Sequence, residues 1–154
     1  MFVELQVAPE VVKTEAGCAT IWRGRPGLVF SQVEGRMVMA HAQVIMAVVD
    51  AEMRARPGTV KVFHDFTAID SYEVAVQARM SAWSVTAVRS LERIVIGVSS
   101  PLVALAVRTA NLASGGRFEL LQTREQLVAA ARAEWLRPAL KSKSRGTTEP
   151  GSAR

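Results

Sequence analysis

From Thr59 to Leu136 the sequence alternates short β-rich runs with helical ones, and that alternation restricts the fold more than any other feature. Thr59–Phe63 is rich in β-formers, and Asp70–Ser90 reads as helix. Arg93–Val98, with Ile-Val-Ile-Gly-Val at its centre, is continuously apolar, as expected of a strand covered on both faces. Ser99-Ser100-Pro101 then opens a helix with a cap serine and a first-turn proline, and Gly115-Gly116 stops it after Ala113. Arg117–Leu121 is another strand. Thr123-Arg-Glu-Gln126 is a capping box for a last helix that ends near Leu136, before Pro138. Strands separated by helices of this length require crossover connections, which are right-handed and build a parallel sheet.

The first 58 residues add an antiparallel edge and one more helix. Val3, Leu5 and Val7 alternate with Glu4 and Gln6, the period of a half-buried strand that Pro9 stops. Ala19–Arg23 and Leu28-Val-Phe30 flank the turn residues Gly24-Arg-Pro-Gly27, so they read as a β-hairpin whose second arm closes at Gly35. Arg36–Arg56 reads as helix, with Val38, Ala42, Ile45 and Val49 on one line and Pro57-Gly58 as its terminator. The predicted fold is α/β. It has a single mixed, mostly parallel sheet with an N-terminal antiparallel hairpin and four helices.

The 154 residues suit one domain, expected at 1–137. Residues 138–154 carry four basic side chains against Glu149, with no apolar period, and read as a basic, disordered tail. The formal net charge of +5 therefore leaves only +2 on the domain, which argues against specific nucleic-acid binding. No apolar run approaches the ~20 residues of a transmembrane helix, and the N-terminus lacks the pattern of a signal peptide. Cys18 stands alone, so disulfides are excluded and a reducing cytoplasm is the expected compartment.

Chemistry-bearing motifs are few. His64-Asp65 ends a predicted strand, but a metal-dependent hydrolase needs further His and Asp ligands, and His41 lies in a helix. No metal and no cofactor are expected. There is no phosphate loop and no nucleophile elbow. The stretch His64–Glu73 reads as a strand-to-helix loop, in which Asp70 or Ser71, with Glu73, caps the next helix. Open α/β sheets place sites beyond the carboxyl ends of parallel strands, which is where this loop and Ser99-Ser100 fall.

The element order, and above all Val62-Phe-His-Asp-Phe-Thr-Ala-Ile-Asp-Ser71, resembles the STAS or SpoIIAA-like proteins, the anti-sigma-factor antagonists. In that family a strand ends in Asp-x-Ser/Thr, and Asp-Ser-Ser-Gly opens the following helix, its second serine being the phosphorylation site that controls partner binding. Asp65-Phe-Thr67 matches the first element and Asp70-Ser71 the start of the second. Tyr72 stands in place of the phosphorylated serine and Glu73 in place of the glycine. The resemblance implies a non-catalytic regulatory module that binds a protein partner through Asp65, Thr67, Asp70, Ser71 and Tyr72.

Met37, Met39 and Met46 extend the apolar face of the first long helix beyond its Val38–Val49 line. Methionine recurs at protein-binding surfaces, so these three are candidate interface residues for a partner or for a second copy of the chain. Two other functions compete: a small hydrolase using His64 and Asp65, and an apolar-ligand carrier. A continuous apolar cavity between helices and sheet is the signature of the carrier.

Overall fold

A computed structural model describes residues 8–137. The expected Val3–Val7 strand and the basic tail 138–154 lie outside the described residues. The chain runs β1 (Glu10–Lys13), β2 (Gly17–Arg23), β3 (Leu28–Met37), α1 (Met39–Ala55), β4 (Val60–Tyr72), α2 (Val74–Ala87), β5 (Leu91–Gly97), α3 (Pro101–Ala113), β6 (Phe118–Leu121) and α4 (Arg124–Leu136). A single 3-10 turn, Val88–Ser90, links α2 to β5.

All six strands join one sheet in sequence order. β1, β2 and β3 pair antiparallel, and β3 to β6 pair parallel. The expected hairpin is β2–β3. Its outer neighbour β1, a mostly exposed edge strand, was not anticipated. Because strands β3 to β6 follow one another across the sheet, right-handed crossovers place α1, α2 and α3 on one face. α4 follows the last strand and, among the described residues, is the helix that covers the other face.

Alternation along the strands divides the core accordingly. Ile94 and Ile96 of β5 join the larger cluster under α1–α3, while Val95 joins Phe30, Phe63, Leu127 and Ala131 under α4. The continuously apolar run is thus covered on both faces, as expected. The helix line Ala42, Ile45 and Val49 is fully buried. Thr123 accepts a hydrogen bond from the Gln126 N–H at 3.2 Å, so the last helix starts at its capping box.

Two boundaries differ from expectation. β3 continues past Gly35 to Met37, because Gly35 adopts φ 80° within a register slip and no side chain is needed there. A Cβ on Gly35 would lie 2.7 Å from the Ala16 carbonyl oxygen, so the close approach of β2 to β3 requires glycine. β4 continues past Phe63 to Tyr72, absorbing the stretch expected to be a loop. His64 bonds Ser31 of β3 and Asp65 bonds Thr67, and the β-formers Phe66, Thr67, Ile69 and Tyr72 carry the strand onward. α2 consequently begins at Val74. The expected Asp70/Ser71 cap does not form: Glu73 is the N-cap residue, without a side-chain cap bond. Its Oε2 instead accepts from the Met39 N–H at 3.2 Å and caps α1.

Candidate functional site

The long β4 strand is the axis of the candidate site, and successive side chains on it face opposite layers. His64 faces the α1–α3 layer. It is buried, stacks on Phe66 with centroids 5.5 Å apart, and its Nδ1 shares a 2.7 Å hydrogen bond with the Ser31 hydroxyl. Burial pushes its pKa down to about 4, so the ring is neutral at physiological pH. No described residue engages Nε2.

Asp65 faces α4. Oδ1 accepts from the Thr67 N–H at 3.1 Å and from the Thr67 hydroxyl at 2.6 Å, and Arg124 Nε of α4 lies 3.0 Å from Oδ2. His64 and Asp65 therefore cannot act on one substrate from one pocket. That geometry removes the hydrolase built on this pair.

Between α2, α3 and the β4–β5 face lies an apolar cavity of about 90 Å³ that is partly open to solvent. Val62, Phe66 and Ile96 form part of its floor, and Met80, Trp83 and Val107 form part of its roof. Its polar lining is sparse. Ser84 donates to the Ser81 carbonyl at 2.8 Å and shares a 3.1 Å hydrogen bond with Ser114, so its hydroxyl is occupied. His64 is the buried polar side chain with a free ring nitrogen at the cavity wall. Trp83 also ties α2 to α1, donating from Nε1 to Asp50 at 2.8 Å. The cavity exists because α3 fits the sheet loosely: of its residues only Val103 is buried.

The expected site residues do not form one cluster. Asp65 is buried and Thr67 half-buried on the α4 side; Asp70 is exposed near the end of β4; Ser71 and Tyr72 are half-buried, paired with Arg36 and Met37 of β3. Of the candidate interface methionines, Met37 and Met46 lie in the core, and Met39 packs against it half-buried. Cys18 is a free, half-buried thiol. Among the described residues no three His, Cys, Asp or Glu side chains converge as a metal site. Among them, too, no helix is long and apolar enough to cross a membrane.

Sequence reasoning missed Ser31 and Arg124. A serine inside Leu-Val-Phe-Ser was the available signal for the first, since a buried hydroxyl in an apolar run needs a partner. Arg124 sits in the first turn of α4, where no local pattern marks it.

The geometry defines an α/β module of SpoIIAA-like fold. No protein-family model matches the chain, and no curated protein matches it. Among solved structures, it is similar to an uncharacterized protein of the DUF3478 family with a SpoIIAA-like fold from Shewanella loihica PV-4. The two share 11% identity over 81% of this chain and 93% of that one, with a TM-score of 0.53. A Mycobacterium paratuberculosis anti-sigma factor antagonist aligns at 15% identity, covering 82% and 95% of the two chains, with a TM-score of 0.48. Phosphorylated Bacillus SpoIIAA aligns at 14% identity, covering 81% of this chain and all of that one, also at 0.48. The fold expected from element order is the fold found.

Proposed function

We propose that this chain is a non-catalytic binding module whose site is the cavity under α2 and α3, and that it takes a small apolar ligand or the apolar end of a larger one. The observation that carries this is the cavity itself: about 90 Å³, bounded by aliphatic and aromatic side chains, beneath a helix with one buried residue. An apolar guest is favoured in such a pocket, because it restores dispersion contacts that the lining lacks. The test is titration with benzene, which a site of this size admits, followed by calorimetry. The wild-type chain is expected to bind it, Ala106→Phe to lose it by filling the cavity, and Leu105→Gln/Leu112→Gln, on the outer surface, to keep it. Equal binding by the Ala106→Phe variant would overturn the assignment.

We further propose a protein partner, engaged in the cytoplasm at the end of β4. The supporting observation is that exposed Asp70 and half-buried Ser71 lie together just before α2, near the position where the resemblance implies regulation. A second copy of the chain is the alternative partner. Affinity capture with wild-type and Asp70→Ala/Ser71→Ala chains tests this. Selective loss of one specific partner supports it, and identical recovery by both chains overturns it.

A further inference from the structure

The outward faces of α2 and α3 have the wrong composition for contact with water alone. A surface helix ordinarily turns charged and polar residues outward. On α3 the exposed stripe is Leu102, Leu105, Arg108, Thr109 and Leu112, with Leu105 64% and Leu112 81% exposed. On α2 the exposed residues include Val74, Ala78, Arg79, Ala82 and Val85, with Val74 80% exposed. The two helices are neighbours in the same layer, so their outer faces make one surface.

The charge on that surface has one sign. Within α2 and α3 the charged residues are Arg79 and Arg108 alone; Arg89 and Arg117 follow the C-terminal ends of the two helices, and Glu73 precedes α2 as its N-cap. All four arginines are exposed. Exposed leucines interspersed with cations, with no carboxylate among them, match the interface of an anionic bilayer. There the apolar side chains enter the acyl boundary and the guanidiniums meet the phosphates. A two-fold contact between copies fits the same face poorly, because an isologous interface would set Arg79 and Arg108 against a surface that offers no acid.

We propose that the outer faces of α2 and α3 form a docking surface for an anionic lipid bilayer. The surface lies directly over the cavity, and its docking does not depend on a ligand being bound there. Each arginine near a charged membrane surface contributes roughly fivefold in affinity. Reversing two of them should therefore weaken binding by more than about tenfold.

The experiment is co-sedimentation of the full chain with vesicles of phosphatidylglycerol and phosphatidylcholine, or of phosphatidylcholine alone. The wild-type chain is expected to bind the anionic vesicles, to bind the zwitterionic ones at least tenfold less, and to be released by salt. Arg79→Glu/Arg108→Glu and Leu105→Gln/Leu112→Gln should each lose tenfold or more. Both variants keep the basic tail, and all four substitutions are on exposed positions that leave the core intact, which circular dichroism checks. Wild-type chain that ignores anionic vesicles overturns the proposal. So does binding that survives both double substitutions, which assigns it to the tail. A dimer in light scattering that Leu105→Gln/Leu112→Gln dissociates also overturns it, assigning the face to a second copy.

Discussion

His64 and Asp65 are consecutive residues that belong to different halves of the molecule: one closes the wall of the α2–α3 cavity beside Ser31, the other is held by Thr67 and by Arg124 of α4. Only a strand places neighbours this way. Each side chain consequently makes its own prediction.

His64 should make the fold acid-sensitive. Its pKa is about 4 in the folded chain against 6.5 in an exposed histidine. The unfolded chain therefore takes up a proton below pH 6.5 that the folded chain refuses. Stability is full above 6.5 and falls as pH drops from 6.5 toward 4. By linkage the loss is about 2 kcal/mol at pH 5, approaching about 3 at pH 4. Urea midpoints at pH 7 and pH 5 measure it. His64→Phe, which keeps an aromatic ring against Phe66, should remove most of this difference, and an undiminished one would contradict the assignment.

Asp65 should matter through its bonds to Thr67 more than through Arg124, whose side chain is 38% exposed and screened by water. Asp65→Asn keeps a carbonyl oxygen for the Thr67 N–H and hydroxyl. It is expected to cost about 1 kcal/mol, whereas Asp65→Ala removes both acceptors and should cost about 2–3 kcal/mol. Chemical denaturation of the two variants separates them. Equal losses would assign the stabilisation to the ion pair instead.

Glu134 anchors α4 from a fully buried position. Lys61 Nζ of β4 lies 2.7 Å from Oε1, and Arg93 and Arg137 approach Oε2 at 3.5 and 3.4 Å. Burial by itself would raise the carboxyl pKa. The Lys61 hydrogen bond and the charges of Lys61, Arg137 and Arg93 override it and hold the group below its ordinary value. The stabilisation is present above the unfolded carboxyl pKa of about 4.5 and disappears as pH falls through the lower folded value. Glu134→Gln leaves Lys61 without its closest partner, Glu92 remaining 3.1 Å away, and should cost about 3 kcal/mol at pH 7. Thermal unfolding of Glu134→Gln, Lys61→Met and the double variant tests the coupling; simple additivity would show that the pair does not interact.

The elements after Arg93 were legible because their signals are local: a continuous apolar run, Pro101 at a helix start, a capping box at Thr123. The stretch from His64 to Tyr72 was not, because its polarity looked like a loop while its partners lie far away in sequence, at Ser31 and Arg124. Glu73 shows the same limit, since the helix it caps precedes it by a whole strand. The methionines misled for a related reason: a face broader than one stripe looked like a surface for a partner, yet β3, α1 and the sheet bury Met37 and Met46 within the chain itself. The cavity had no signal in sequence at all. It arises from how loosely one helix meets two strands.

That looseness gives the last prediction. α1 anchors itself with six buried residues, His41, Ala42, Ile45, Met46, Val48 and Val49, whereas α3 buries only Val103. A fully buried aliphatic side chain contributes roughly 1.5–3 kcal/mol. α3 should therefore open by local fluctuation that leaves α1 and the sheet intact. Hydrogen exchange followed by mass spectrometry should show α3 amides exchanging at least tenfold faster than those of α1. Filling the space beneath the helix with Ala110→Leu should slow α3 while leaving α1 unchanged, because the added methyl groups supply contacts the cavity lacks. Equal protection of the two helices in the wild-type chain would mean that α3 is held by something other than its packing on the sheet, and the cavity would then be a rigid void, closed to any ligand that needs α3 to move.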